Sequence, residues 1–131
     1  MQPKNAMALH TSDNCNVDGK QSGTWVHHDC SPATPSNQGC GVQSNTDNSF
    51  GTGFNNVRGG VYATLWNSGG VQIWFFPRGK IPNDITAGNP KPEKWGIPEA
   101  NFSGSCNFDS HLKNHWIVSR ANSILLSYSR S

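Results

Sequence analysis

Two β-branched and aromatic runs dominate the middle of the chain, Gly60-Val61-Tyr62-Ala63-Thr64-Leu65-Trp66 and Val71-Gln72-Ile73-Trp74-Phe75-Phe76. The residues between them, Asn67-Ser68-Gly69-Gly70, supply the positive-φ positions of a tight reversal, so this region predicts an antiparallel β-hairpin. Pro77 has no N–H to give to a ladder and predicts the end of the second strand. Weaker strand candidates are Ala6 to His10, Thr24 to His28 and His115 to Ser119. Residues Ser31 to Asn56 are rich in Pro, Gly, Asn and Ser and poor in large apolar side chains, which predicts loop. From Ile81 to Pro98 the prolines Pro82, Pro90, Pro92 and Pro98, with Pro77 just before, predict an ordered loop or a crossing at a strand edge. The only hint of helical apolar spacing is Ile124-Leu125-Leu126, near the end. Many short strands separated by Gly/Pro/Asn loops predict an all-β sandwich or jelly roll.

Length and charge narrow the possibilities. The 131 residues fit one domain with a real core. Charged residues are 14% of the chain and the formal net charge is +2, so solubility rests on Asn, Ser, Thr, Gly and Gln. The basic residues Lys20, Arg58, Arg78 and Lys113 are scattered, with no dense run to track phosphates, and nucleic acid is excluded as an expected partner. No stretch approaches the ~20 apolar residues of a membrane-spanning helix, and none of the five residues Met1-Gln2-Pro3-Lys4-Asn5 begins the apolar segment of a leader. Cys15, Cys30, Cys40 and Cys106 in so polar a chain predict disulfides and an oxidising, secreted or extracellular setting. Four cysteines allow three pairings, and the sequence leaves all three open. No Cys-x-x-Cys is present, so disulfide is favoured over zinc, and neither a metal nor a cofactor is expected. Asn101-Phe102-Ser103 is a sequon and makes Asn101 a candidate glycosylation site.

A further set of short motifs occurs in a fixed order. Met7-Ala8-Leu9-His10-Thr11-Ser12 is followed by Gly39-Cys40-Gly41-Val42, Gly59-Gly60-Val61-Tyr62-Ala63 and Ile73-Trp74-Phe75-Phe76-Pro77-Arg78. Then come Lys94-Trp95-Gly96-Ile97-Pro98, Asn101-Phe102, Cys106-Asn107-Phe108-Asp109-Ser110-His111 and Lys113-Asn114-His115. In order and spacing, roughly from residue 5 to residue 118, these resemble the fungal laminarinases, the endo-1,3(4)-β-glucanases of glycoside hydrolase family 16. The resemblance implies a concanavalin-like β-jelly-roll sandwich of two curved antiparallel sheets, with a glucan cleft on the concave face. It divides the chain into a partial domain over residues 1–118 and a divergent tail over residues 119–131.

The departures from that pattern bear on chemistry. Enzymes of the family are retaining hydrolases that use two glutamates of a Glu-x-Asp-x-x-Glu strand, and retention needs carboxyl groups about 5–5.5 Å apart. In the family this strand lies shortly before the His-Thr-Ser segment, almost where this chain begins. The only glutamates here are Glu93 and Glu99, both in the proline-rich region, so no catalytic residue is assigned. Where family members commonly carry Glu-Trp in the hairpin, this chain has Leu65-Trp66. After Val118 the family continues into a Cys- and Trp-containing segment, which Ser119-Arg120-Ala121-Asn122-Ser123 replaces. One cysteine is therefore expected to lack its family partner.

The residue-level expectations follow. By the resemblance, His10 lies beside the cleft, where a ring nitrogen can bond a sugar hydroxyl. His27-His28 reads as a surface pair, because neighbours on a strand face opposite sides, and His111 and His115 read as structural. Of the tryptophans, Trp66 and Trp74 on the hairpin are expected in the core, whereas Trp95 in the proline-rich loop is a candidate sugar platform as well as a loop anchor. Trp25 and Trp116 could also stack on sugar. Arg78 and Asp109 are expected to fix loops. Together these predict a chain that acts on or binds β-glucan without a carboxylate pair of its own, inactive in isolation. The alternatives are a lectin-like glycan binder with no hydrolase role and a truncated product with no role. Open sheet edges in a truncated sandwich also predict self-association or marginal stability.

Overall fold

A computed structural model describes residues 4–114 and the strand 124–129. The strand candidate His115 to Ser119, with His115 and Trp116, lies outside the described residues.

Among the described residues, seven strands build two sheets. The first sheet holds β1 (Ala6–Leu9), β2 (Thr24–His27) and β3 (Cys40–Gln43) in the order β1-β3-β2, antiparallel throughout. The second holds β4 (Gly60–Asn67), β5 (Gly70–Pro77), β6 (Ala100–Phe102) and β7 (Ile124–Ser129) in the order β6-β5-β4-β7. The architecture is all-β, part of a jelly-roll sandwich, as the spacing of short strands predicts. Among the described residues, three short helices, α1 (Gly51–Asn56), α2 (Asn83–Thr86) and α3 (Phe108–His111), punctuate the loops.

The hairpin forms in the predicted register, with Gly60 opposite Pro77 and Asn67 opposite Gly70. Its reversal is shorter than the sequence suggests. Asn67 and Gly70 belong to the ladder, so Ser68-Gly69 alone make the turn, and the positive φ falls on Gly70 at 135°. Asn67 Oδ1 accepts the Gly69 N–H at 2.8 Å, an Asx-type closure.

Three sequence readings are corrected. Residues 31–56 are not all loop, because they contain β3, the central strand of the first sheet. Only Cys40 and Val42 face inward, in a buried/half-buried alternation over four residues, and so short a run carries too little apolar mass to stand out. The apolar triplet Ile124-Leu125-Leu126 is strand and not helix, paired parallel to β4 from Val61↔Ile124 to Trp66↔Ser129. Thus β4 has a neighbour on each side, where an open edge was expected. The proline-rich stretch 81–98 is an ordered loop, as the prolines predict, and it contains α2 and a 3-10 turn at Pro92–Lys94.

The core lies between the sheets. Met7 and Val42 of the first sheet pack with Ala100 and Phe102 of β6, joined by Val17, Phe108 and Leu112 and flanked by Trp66, Val71 and Ile73. Fully burying one such side chain contributes roughly 1.5–3 kcal/mol. Side chains alternate along β5, so Val71 and Ile73 face this core, Phe75 on the same side stacks on Tyr62, and Trp74 and Phe76 face the other side of the sheet. That outer face is covered by the proline-rich loop, whose Trp95 meets Trp74 and Phe76 edge-on at 5.3 and 5.6 Å.

All four cysteines are paired, Cys15 with Cys106 and Cys30 with Cys40. The expectation that one had lost its partner is therefore corrected.

Candidate glycan-contacting site

The His10 segment is fixed from every side by its own backbone. Leu9 pairs with Cys40 at the end of β1, and the Thr11 N–H donates to the Cys30 carbonyl at 2.8 Å. The Cys30–Cys40 disulfide ties Cys40 of β3 to Cys30, three residues beyond β2, the two positions that receive these bonds. Next in line, Ser12 Oγ lies 2.7 Å from His111 Nδ1 of α3, which gives His111 the structural role expected of it. His10 itself is exposed. Gly39, at φ 66°, passes so close that a Cβ there would sit 2.8 Å from His10 Nδ1. The imidazole is thus presented on a short, cross-braced turn beside the three-stranded sheet.

Trp95 lies elsewhere. It packs on the outer face of β5 in the second sheet, so the two candidate sugar contacts share neither an element nor a sheet. Its indole Nε1–H donates to Asp84 Oδ2 at 2.8 Å, and the same oxygen accepts the Lys91 N–H at 2.7 Å. Trp74 Nε1–H donates to the Gly96 carbonyl at 3.1 Å. Partial desolvation pushes the Asp84 carboxyl up, but the hydrogen bonds from Lys91, Trp95 and Ile85 outweigh it and hold it below the ordinary Asp value. Nothing in the sequence marks Asp84, because its partners lie seven and eleven residues on, across turns set by Pro90 and Pro92.

The two glutamates stand apart in character. Glu93 is exposed on its 3-10 turn. Glu99 is only 4% exposed, just before β6, where Ser44 Oγ donates to its Oε1 and Oε2 has no protein partner. Nearby Tyr62 donates to the Ser49 carbonyl, and burial, opposed by a hydrogen bond with Asn5 and reinforced by the Glu99 charge, pushes its hydroxyl well above the ordinary tyrosine value. This is a buried polar cluster between the sheets, and no local sequence pattern marks it.

The remaining candidates are placed as follows. His27 and His28 are both exposed, and His28 packs on Trp25 at 4.7 Å and donates from Nδ1 to the Val17 carbonyl. Trp25 is half-buried against Phe102, Trp66 is half-buried, and Trp74 is buried. Arg78 Nε donates to the Arg58 carbonyl, and Asp109 accepts from Ser68 Oγ at the hairpin tip. The Asn101 side chain lies along β6 with its amide nitrogen donating to the Lys20 carbonyl at 3.1 Å. Among the described residues no three His, Cys, Asp or Glu side chains gather as a metal site, and no helix is long and apolar enough to cross a membrane.

The same chain pattern occurs in known proteins. An endo-1,3(4)-beta-glucanase of Arthroderma benhamiae is 39% identical over 124 residues, covering 89% of this chain and 27% of that protein. The endo-1,3(4)-beta-glucanase xgeA of Emericella nidulans is 40% identical over 116 residues, covering 87% of this chain and 18% of that protein. Among solved structures, an elongating GH family 16 beta-1,3-glucosyltransferase superposes with a TM-score of 0.79 at 40% identity, over 86% of this chain and 38% of that one. Laminarinase 16A from Phanerochaete chrysosporium, with two beta-glucans in its donor and acceptor sites, gives a TM-score of 0.75 at 39% identity over 82% of this chain and 38% of that one. The chain therefore spans well under half the length of these relatives. A family described as the XgeA-like, catalytic GH16 domain matches residues 1–122, and the chain belongs to glycoside hydrolase family 16.

Proposed function

We propose that this chain is a β-1,3(4)-glucan-directed portion of a family 16 domain, which contacts glucan through the His10 turn and supplies no catalytic carboxylate pair. The observation that carries the reading is the state of its two glutamates. Retention needs two carboxyl groups about 5–5.5 Å apart across a sugar, whereas Glu93 is exposed on the proline-rich loop and Glu99 is buried between the sheets. The bound glucans of Laminarinase 16A support glucan as the ligand class, and a braced, exposed imidazole suits hydrogen bonding to a sugar hydroxyl. The two disulfides fit a secreted or extracellular setting.

Binding of a single short oligosaccharide is expected to be weak. A dissociation constant on the order of 1 mM corresponds to about 4 kcal/mol. Titration of the full chain with laminari-oligosaccharides, followed by nuclear magnetic resonance, tests this. The His10 ring resonances should shift, and His10→Ala should weaken binding about fivefold, the value of one hydrogen bond near 1 kcal/mol. Unchanged affinity in His10→Ala would remove His10 from the site.

A further inference from the structure

We propose a second glycan-contacting patch, centred on Trp95 on the outer face of the second sheet, with Asp84 as its positioning residue; it rests on the reading of this chain as glucan-directed. The Trp95 Nε1–H donates to Asp84 at 2.8 Å, so the polar end of the indole is satisfied while the residue stays partly exposed. The ring is also held still. Trp74 and Phe76 meet it at interplanar angles of 83° and 81°, and the Asp84 oxygen that takes the indole N–H also ties down the Lys91 backbone.

A rigid, apolar ring surface with its polar end satisfied suits the C–H face of a pyranose, because little motion is left to lose on binding. Exposed Glu93 and Lys94 beside it can bond the sugar's hydroxyls. Ile97, 54% exposed, extends the apolar surface. Because Trp95 packs on the second sheet and His10 follows a strand of the first, the patch acts separately from the His10 turn, and a long glucan is expected to engage both.

Electrophoresis of the full chain through gels containing laminarin tests the patch, with thermal denaturation as the folding control. Trp95→Ala and Asp84→Ala are each expected to weaken retardation about threefold or more through the loss of one of two contacts. Asp84→Asn keeps an acceptor oxygen and should retain most of the retardation, together with the near-ultraviolet circular dichroism of the Trp74–Trp95 pair, which Asp84→Ala should lose. His10→Ala should weaken binding further in the Trp95→Ala background. If Trp95→Ala and Asp84→Ala migrate like the parent while His10→Ala does not, the second patch is overturned and the His10 reading stands. If the parent itself is not retarded, both fall. If Asp84→Ala fails to fold, Trp95→Phe decides, since it keeps an apolar ring and breaks the Asp84 bond. Parent-like migration of both Trp95→Phe and Trp95→Ala would contradict the proposal.

Discussion

Glu99 shows how a single residue is defined by what surrounds it. In sequence it is one of two glutamates near prolines. In the fold it is a buried carboxylate that receives one hydroxyl, from Ser44, and has one oxygen without a protein partner. Ser44→Ala should take that donor away and destabilise the chain by about 1–3 kcal/mol, since a buried acceptor left unmet carries its full desolvation cost. Urea denaturation of the variant against the parent measures it, and an unchanged midpoint would mean that water replaces the hydroxyl freely. The motif containing His10 was legible because its residues are consecutive. Asp84, Ser44 and the Glu99 environment were not, because their contacts join residues 11 and 55 positions apart, and no local pattern records such pairings.

At the scale of elements, legibility followed apolar mass and chain locality. The β4–β5 hairpin was readable because two eight-residue strands meet across a two-residue turn, all within one stretch of sequence. The central strand β3 was not, since four residues with one valine and a half-cystine satisfy a sheet centre only once β1 and β2 are brought to its flanks. The cysteine pairing also belongs to this scale. The Cys15–Cys106 bond spans 91 positions and Cys30–Cys40 spans 10. By loop-closure entropy the long bridge contributes about 4.5 kcal/mol and the short one about 3 kcal/mol. Replacing both cysteines of the long bridge by Ala should therefore lower stability more than replacing both of the short one. Equal losses in guanidinium denaturation would contradict that ordering.

The proline-rich loop carries its own pH signature. The folded Asp84 carboxyl lies below its ordinary value, so the anchoring it provides is fully present above the unfolded value near 3.9. It is lost as pH falls through the lower folded value. The Trp95 fluorescence of the parent should hold constant from neutral pH down to that region and then change, whereas Asp84→Asn should show no such transition. A transition near neutral pH in the parent would exclude Asp84 as its source.

For the whole molecule, the two sheets and the core between them account for the sandwich, and the strand β7 covers the edge of β4 that the sequence left open. Within the described residues, β1 and β2 remain edge strands with one neighbour each, and Val26 on β2 is 54% exposed. Such edges recruit other chains, so light scattering should show a mass that rises with protein concentration. A constant monomer mass would mean that these edges are protected.

The chain is proposed to be directed to glucan without holding an acid pair able to cut it. Release of reducing sugar from laminarin by the purified chain tests it most directly. The expected result is no release above a heat-inactivated control, in Glu93→Gln and Glu99→Gln as in the parent. Turnover that persists through purification and disappears in either variant would contradict the account, because it would place a catalytic carboxylate where the fold shows only an exposed loop residue or a buried one.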